Sequence, residues 1–231
     1  DFALWKRAEP GHLMRWPSPW GEGYPGWHIE CSAMANKYLG ETFDIHGGGL
    51  ENIFPHNDCE IAQSEARHGV PLANYWILVG SLTVDGVKMS KSLGNFLTIG
   101  DTLKLYSPEA VRYFILSSHY RSQLDFSRDA LQAAQRGANR LLHTVQALRR
   151  RMRNVLPASG AGTAALSSVA SLEDYRSDFQ AAMDDDFNTP RALAVVFDLV
   201  KEINRILEGE CQASLGTLSA IDKLMRDLAG D

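Results

Sequence analysis

Lys88-Met-Ser-Lys-Ser92 stands directly after a predicted β-hairpin, whose turn is Asp85-Gly86. Asp-Gly between runs of apolar residues favours a two-residue hairpin turn. The pentapeptide places two ammonium groups three residues apart, with hydroxyl groups beside them. Such a loop can close over a triphosphate and stabilise negative charge on a departing pyrophosphate. A basic surface turn explains the same composition, but the ordered string after a hairpin favours the phosphate-binding interpretation.

The sequence before this loop alternates short apolar runs with turn signals, as α/β domains do. The glycines that follow the first predicted strand allow a ligand to approach the backbone closely. We predict, in order, a helix over residues 27–39, a strand over 42–46 that leads into Gly47-Gly-Gly49, a helix opened by Phe54-Pro55 and ending near Arg67, and a buried strand over 74–80.

The sequence after the loop has the pattern of a helical region. We predict helices over residues 108–116 with Ser107 as N-cap, 128–155 with Ser127 as N-cap, 172–183, 190–208 with Thr189 as N-cap, and 215–228. Residues 157–168 have the composition of a linker. The predicted fold class is therefore α/β followed by all-α.

Composition limits the function classes of this chain. A formal net charge of -5 over 231 residues argues against a generally basic nucleic-acid binder. A local basic face is still open, because one predicted helix carries Arg136, Arg140, Arg149, Arg150, Arg151 and Arg153. A solvated helix end that suits the C-terminal dipole is the alternative. No apolar run reaches bilayer length and three cysteines do not suggest a disulfide framework, so we expect a cytoplasmic protein without membrane contact.

Three residue types that bind zinc occur at compatible positions. His56 and Glu60 lie four residues apart on a predicted helix and project from one face, and Cys31 lies on the preceding helix. The spacing alone also fits a solvated helix face, and a lone cysteine is more often a small buried hydrophobic residue. A Cys/His/Glu metal site is thus one of two interpretations at this point.

The motifs together resemble a known family. Lys88-Met-Ser-Lys-Ser92 is similar to the loop that closes the catalytic domain of class I aminoacyl-tRNA synthetases. Four further segments resemble the cysteine-specific branch of this class. They are Gly26-Trp-His-Ile-Glu-Cys-Ser-Ala-Met34, His46-Gly-Gly-Gly49, Phe54-Pro-His56 and the Asp-rich string of residues 183–193. The resemblance implies the second half of a Rossmann-like catalytic domain over residues 1–96, a connecting stem over 97–126 and a helical, DALR-type tRNA-binding domain over 127–231.

The resemblance also implies the residues of the site. Zn²⁺ would be held by Cys31, His56 and Glu60, with the family's fourth protein ligand missing, and would bind the thiolate of the substrate cysteine. Trp27 would lie beside the substrate side chain. ATP-binding residues would be His46, Gly47, Gly48, Gly49 and Lys91, and the catalytic lysines would be Lys88 and Lys91. The implied reaction activates cysteine with ATP and transfers it to tRNA(Cys). A monomer is expected, with a dimer as the alternative for a shortened chain.

Some positions depart from the family pattern. Asn57-Asp58-Cys59 replaces His-Glu-Asn before Glu60, and Glu51 replaces the usual Asp. Cys59 either competes for the metal or is inert, and we favour the inert interpretation. The family's first half of the nucleotide-binding fold is absent, so we expect a fragment without activity by itself. Two alternatives are a cysteine-activating ligase of mycothiol synthesis and a non-catalytic tRNA-binding module.

Overall fold

A computed structural model of the chain describes residues 2–90, 93–95, 97–154, 171–210 and 213–230. The chain forms two compact units, Asp1–Ser81 and Leu82–Asp231. The predicted linker over residues 157–168 lies outside the described residues, as do Lys91 and Ser92 of the loop. The domain boundaries near residues 96 and 126 stay predictions.

The first unit combines small sheets with two helices. Its elements are β1 (Trp5–Arg7), β2 (Gly23–Pro25), α1 (Trp27–Leu39), β3 (Phe43–Gly49), α2 (Asp58–His68) and β4 (Ala73–Val79). β1 and β2 pair antiparallel, whereas β3 and β4 pair in parallel with Ile45 opposite Tyr75. Two parallel strands joined through a helix form a βαβ unit, the building block of α/β domains. Helices α1 and α2 pack together and are joined by a hydrogen bond of 2.7 Å from the Ser32 hydroxyl to Gln63.

The segment between β3 and α2 differs from the sequence prediction. The helix predicted from Pro55 begins as a regular α-helix only at Asp58, after short helical turns over Leu50–Asn52 and Ile53–Asn57. Phe54 is extended, with φ -127° and ψ 132°. The residue before a proline avoids the α-helical region because the proline ring crowds its backbone. Pro55 therefore does not open a regular first turn, although it still places His56 at the entrance to α2.

The second unit begins with the predicted hairpin. Its elements are β5 (Leu82–Val84), β6 (Val87–Lys88), α3 (Ile99–Thr102), α4 (Pro108–Leu116), β7 (Leu124–Asp125), α5 (Arg128–Asn154), α6 (Leu172–Asp184), α7 (Thr189–Leu207) and α8 (Leu215–Ala229). β5 is the central strand, antiparallel to β6 and parallel to β7. Asp85 and Gly86 both have positive φ, 49° and 77°, as a type I′ hairpin turn requires. The hairpin prediction is confirmed.

The helices of the second unit enclose a large apolar core, and a smaller cluster of Phe114, Leu131 and Ala134 lies between α4 and α5. The members of the large core come from α5, α7 and α8, and α6 packs against them. The fully buried residues of this core are Leu148, Val196, Leu199, Val200, Ile203, Ile206, Leu218, Ile221, Leu224 and Met225. An apolar stripe at helical spacing favours such a bundle. No described helix combines the length and the apolar composition that a membrane span requires.

The start of α7 corrects another prediction. Asn188, not Thr189, is the N-cap, and its side chain accepts a hydrogen bond from the Arg191 amide at 3.2 Å. The Thr189 hydroxyl instead donates to the Ser118 carbonyl at 3.4 Å. Asparagine and threonine both serve as N-caps, so adjacent candidates cannot be separated by residue type alone. The structure resolves the choice, because the side-chain oxygen of Asn188 reaches a first-turn amide and the Thr189 hydroxyl does not.

Candidate active site

Cys31, His56 and Glu60 converge in the first unit. One potential ligand atom of each lies within 4.8 Å of the other two. α1 supplies the thiol from its second turn, the turn Ile53–Asn57 supplies the imidazole, and α2 supplies the carboxylate. His56 and Glu60 are buried and Cys31 is half-buried. The packing of α1 on α2 therefore creates the cluster that the sequence resemblance implied.

The imidazole of His56 is oriented by a second histidine. Nδ1 of His28 lies 2.9 Å from Nδ1 of His56, so one ring donates and the other accepts. The other nitrogen of His56, Nε2, lies 3.6 Å from Oε2 of Glu60. A histidine that ligates a metal usually engages its second nitrogen in a hydrogen bond of this kind. Nε2 is thus the nitrogen presented to the cluster.

The carboxylate of Glu60 is 1% exposed, yet its two oxygens have different partners. Oε1 forms a hydrogen bond of 3.1 Å with Nε2 of His46, whereas Oε2 has no hydrogen-bond partner among the described residues. Oε2 of Glu60 is also 3.1 Å from Nε2 of His46, but the geometry of this pair is not that of a hydrogen bond. An unpartnered buried carboxylate oxygen is costly unless a cation neutralises it. This orphaned oxygen fits a divalent ion.

The thiol of Cys31 also fits a metal ligand. Burial raises its pKa, and the carboxylates of Glu60 and Glu30 raise it further. The raised pKa favours the neutral thiol in the metal-free chain. A bound divalent cation reverses this preference, since metals bind thiolates and release the proton. One thiolate, one imidazole and one carboxylate form a donor set that suits zinc.

Aromatic rings lie beside the cluster. The Trp27 ring centroid is 4.1 Å from that of His56, and Trp27 is 56% exposed. The ring of His46 stacks on Trp76 with centroids 4.3 Å apart and an interplanar angle of 13°. Trp27 is therefore largely exposed next to a candidate ligand, and its place beside a substrate side chain stays a prediction. His46 contacts the carboxylate of Glu60, and its predicted contact with ATP stays a prediction.

The glycines after His46 end strand β3. A Cβ atom added to Gly47 or Gly48 would meet no protein atom closer than 3.8 Å, and neither residue has a positive φ. The chain itself therefore does not require glycine at these two positions. A ligand that approaches the backbone closely would explain them. Gly49 differs, since its Cβ would lie 2.5 Å from the Glu51 carboxylate.

Asn95 organises the part of the lysine loop that the structure describes. Its side-chain oxygen accepts from the Ser90 amide at 2.9 Å, and its amide group donates to the Lys88 carbonyl at 3.2 Å. The Lys88 side chain is exposed at the end of β6. Lys91 lies outside the described residues, so its role stays a prediction. This loop belongs to the second unit and the Cys/His/Glu cluster to the first.

Sequence reasoning missed His28 as a site residue and did not foresee the contact of His46 with Glu60. His28 precedes Cys31 by three residues, so both project from one face of α1, and that spacing was the available signal. Cys59 is buried with 6% exposure and does not belong to the cluster of potential ligands found in the described part of the chain.

The parallel βαβ unit, the hairpin before the lysine loop and the helical bundle fit a class I aminoacyl-tRNA synthetase, and the sequence comparisons show that class. The sequence model described as "tRNA synthetases class I (C) catalytic domain" matches residues 1–136, and the DALR domain model matches residues 178–230. The chain belongs to this class I (C) synthetase family. The predicted family and the fold class, α/β followed by all-α, are confirmed.

Similar proteins carry a consistent name. Cysteine–tRNA ligase of Chlorobaculum tepidum is 55% identical over 208 residues, which are 90% of this chain and 40% of the relative. Cysteine–tRNA ligase of Deinococcus radiodurans is 51% identical over 231 residues, which are 100% of this chain and 45% of the relative. The chain thus spans less than half the length of these relatives.

Solved structures show the same fold at low sequence identity. The leucyl-tRNA synthetase of Agrobacterium radiobacter K84, in a ternary complex with tRNA and LeuAMS, matches with a TM-score of 0.68 and 17% identity. The match covers 94% of this chain and 32% of that one. A putative arginyl-tRNA synthetase of Campylobacter jejuni matches with a TM-score of 0.54 and 17% identity, covering 89% of this chain and 50% of that one.

Proposed function

We propose that this chain is part of an enzyme that activates cysteine with ATP and transfers it to tRNA(Cys). The observation that carries the proposal is the convergence of Cys31, His56 and Glu60 within 4.8 Å. Names of relatives that are about half identical over nearly the whole chain support the same substrate. The match of residues 178–230 to the DALR domain favours tRNA as the acceptor over an amino sugar.

The proposed metal is zinc, held by the thiolate of Cys31, Nε2 of His56 and the orphaned oxygen of Glu60. Zinc, when bound, would supply a soft Lewis acid that binds the thiolate of the substrate cysteine and discriminates against the hard hydroxyl of serine. His28 holds His56 in position through the 2.9 Å contact of their Nδ1 atoms. His46 holds the other carboxylate oxygen of Glu60 and fixes the direction of the ligand.

The proposed chemistry needs no protein nucleophile. A carboxylate oxygen of cysteine attacks the α-phosphorus of ATP, the bond from that phosphorus to the bridging oxygen breaks, and pyrophosphate leaves with the electron pair. A ribose hydroxyl at the tRNA terminus then attacks the carbonyl carbon and AMP leaves. Lys88 and Lys91 would stabilise the charge on the pyrophosphate, and Gly47 and Gly48 would admit the nucleotide.

Cobalt substitution tests the proposal by absorption spectroscopy. We expect Co²⁺-loaded protein to show a sulfur-to-metal charge-transfer band from Cys31, and added cysteine to increase it while serine does not. Glu60→Gln should weaken metal affinity by about tenfold or more, because a neutral amide replaces an anionic ligand. Glu65→Gln is the matched control, since Glu65 lies exposed on the same helix. An identical response to cysteine and serine, or metal binding unchanged in Glu60→Gln, would contradict the proposal.

A further inference from the structure

A cavity of about 600 Å³ lies within the second unit, and none of the proposed metal ligands lines it. Its walls come from the turn of the hairpin β5–β6, from the segment around α3, and from the residues that enter α5 together with its first two turns. Sites for small molecules have volumes of roughly 300–1,000 Å³, with apolar walls and a few convergent polar groups. The size of this cavity therefore suits a small organic molecule.

Apolar side chains form most of the cavity walls. They are Val84, Leu97, Leu105, Tyr106, Phe126 and Leu131. Leu131 is buried in the cluster with Phe114, but Leu97 is 43% exposed and Leu105 is 77% exposed. A ligand with an apolar body would remove these two leucines from water, which is favourable. The walls therefore favour a ligand whose body is apolar.

Three hydrogen-bond donors line the same cavity without a partner in the described parts of the chain. They are the guanidinium of Arg128, the side-chain amide of Gln132 and the hydroxyl of Tyr106. Arg128 and Gln132 lie four residues apart, so both project from one side of α5. A guanidinium with neutral donors beside it is an arrangement that recognises a carboxylate. This wall is therefore complementary to an anionic group.

A carboxylate lines the cavity as well. Asp85, at the hairpin turn, forms no ion pair with the residues that the structure describes. The turn itself is held by Asp125, which accepts hydrogen bonds of 2.7 Å from the Thr83 hydroxyl and from the Gly86 amide. Asp125 is thus engaged by the hairpin, whereas Asp85 is available to a cationic group. Within the described chain, the cavity therefore presents a negative charge from the hairpin and a positive charge from α5 that do not neutralise each other.

We propose that this cavity binds a free amino acid with a large apolar side chain. The carboxylate of the ligand pairs with Arg128 and accepts hydrogen bonds from Gln132 and Tyr106, while its ammonium group pairs with Asp85. Its side chain packs on the apolar walls. A ligand with a single charge would leave Arg128 or Asp85 without a partner, and a ligand without an apolar body would leave Leu105 in water. Cysteine has too small a side chain to cover these walls, so the ligand differs from the proposed substrate.

Binding of the amino acid would join the hairpin to α5. Val84 and Asp85 belong to the hairpin whose second strand ends at Lys88, whereas Arg128 and Gln132 belong to α5. A ligand that contacts both elements stabilises the closed arrangement, so amide hydrogen exchange should slow in the hairpin. The binding itself does not depend on the proposed function, and only an effect on the lysine loop during catalysis rests on it.

Fluorine NMR titration of the chain with para-fluorophenylalanine tests the inference. The N-acetyl derivative lacks the ammonium group and the amide derivative lacks the carboxylate, so each should bind about threefold or more weakly than the free amino acid. Arg128→Gln should weaken binding of the free amino acid by about the same factor but should not weaken binding of the amide derivative. Asp85→Asn should weaken binding of the free amino acid but not of the N-acetyl derivative. Amide hydrogen exchange of residues 82–88 is measured with and without the amino acid.

Matched variants separate the cavity from the surface around it. Arg136→Gln and Asp129→Asn remove the same charges from exposed positions of α5 outside the cavity walls, and Leu103→Ala is the control for Leu105→Ala. Binding should weaken in Leu105→Ala and stay unchanged in the three controls. Equal binding of the three ligands, equal losses in cavity and control variants, or binding that leaves exchange in the hairpin unchanged would each overturn the inference.

Competition with cysteine distinguishes this inference from the proposed function. Excess cysteine should not displace para-fluorophenylalanine, and Glu60→Gln should bind the fluorinated amino acid as the unaltered chain does. Displacement by cysteine would assign the amino acid to the proposed metal site and overturn the inference. Absence of any binding would overturn it as well, while the cobalt band and its response to cysteine would still decide the metal proposal.

Discussion

Asp186 connects two segments of the second unit through a single carboxylate. It accepts a hydrogen bond of 2.6 Å from the Tyr120 hydroxyl and forms an ion pair of 2.7 Å with Arg121. Asp186 and the following Phe187 both have positive φ, 55° and 52°. Two successive non-glycine residues in the left-handed region cost roughly 1–2 kcal/mol each. The contacts with Tyr120 and Arg121 offset this strain, so the Asp-rich string 183–193 has a structural role here.

Acid titration should reveal this contact. The hydrogen bond from Tyr120 lowers the pKa of Asp186, and Arg121 lowers it further. A lowered folded-state pKa gives stability that is fully present above the unfolded pKa of about 3.9 and is lost as pH falls through the folded value. Asp186→Asn should therefore destabilise the protein most at neutral pH, and the difference should shrink below about pH 4. Urea unfolding across this pH range measures it.

The choice of asparagine isolates the charge. Asparagine tolerates the left-handed region nearly as well as aspartate does, so the backbone strain stays similar. Asp184→Asn is the control, because Asp184 is exposed and forms no ion pair with the residues that the structure describes. A pH-independent difference between the unaltered chain and Asp186→Asn would show that the carboxylate contributes through something other than its charge.

The candidate metal ligands could be predicted from the sequence, but the residues that orient them could not. The family resemblance allowed Cys31, His56 and Glu60 to be assembled from three motifs, and the structure brings them together. The contact of His28 with His56 joins residues that are 28 positions apart, and the contact of His46 with Glu60 joins residues that are 14 positions apart. Such pairs depend on how α1, α2 and β3 pack, which no local pattern encodes. The sequence thus indicated the ligands but not the residues that orient them.

The boundaries of the helices depend on individual capping side chains. Ser107, Ser171 and Ser214 each accept a hydrogen bond from a first-turn amide, as helix N-caps do. The predicted helix starts at residues 108, 172 and 215 are confirmed, although Ser107 was the only one of these three serines predicted as an N-cap. The start of α7 was predicted one residue too late, since Asn188 and Thr189 are both suitable caps, and the start of α2 was predicted too early because Pro55 resembled a first-turn proline.

Paired substitutions test the corrected cap of α7. Asn188→Ala should lower the free energy of unfolding by about 0.5–2 kcal/mol, because the Arg191 amide loses its partner at the helix start. Thr189→Ala should cost less, since its hydroxyl forms only a 3.4 Å contact with the Ser118 carbonyl. Chemical denaturation of both variants measures the difference. A larger loss in Thr189→Ala would restore the original assignment of the cap.

Across the whole molecule, the two units differ in the kind of side chains that fill their interiors. Buried apolar side chains of the second unit form a continuous core across three helices. In the described part of the first unit, the buried apolar residues are only Ala8, Cys59 and Leu72. Polar groups fill much of its remaining interior, including His28, His56 and Glu60. A polar interior with an orphaned carboxylate oxygen gains little from the hydrophobic effect, so the proposed metal should contribute much of its stability.

Metal removal should therefore affect the units unequally. Zinc that binds the folded but not the unfolded cluster stabilises it by about 2.7 kcal/mol at a hundred times its Kd. After chelation, amide hydrogen exchange should accelerate in α1 and α2, which carry Cys31 and Glu60, and remain unchanged in α7 and α8, whose core contains no ligand. Added zinc should restore slow exchange, except in Glu60→Gln. Acceleration of equal size in all four helices would show that the polar cluster does not depend on a metal of its own.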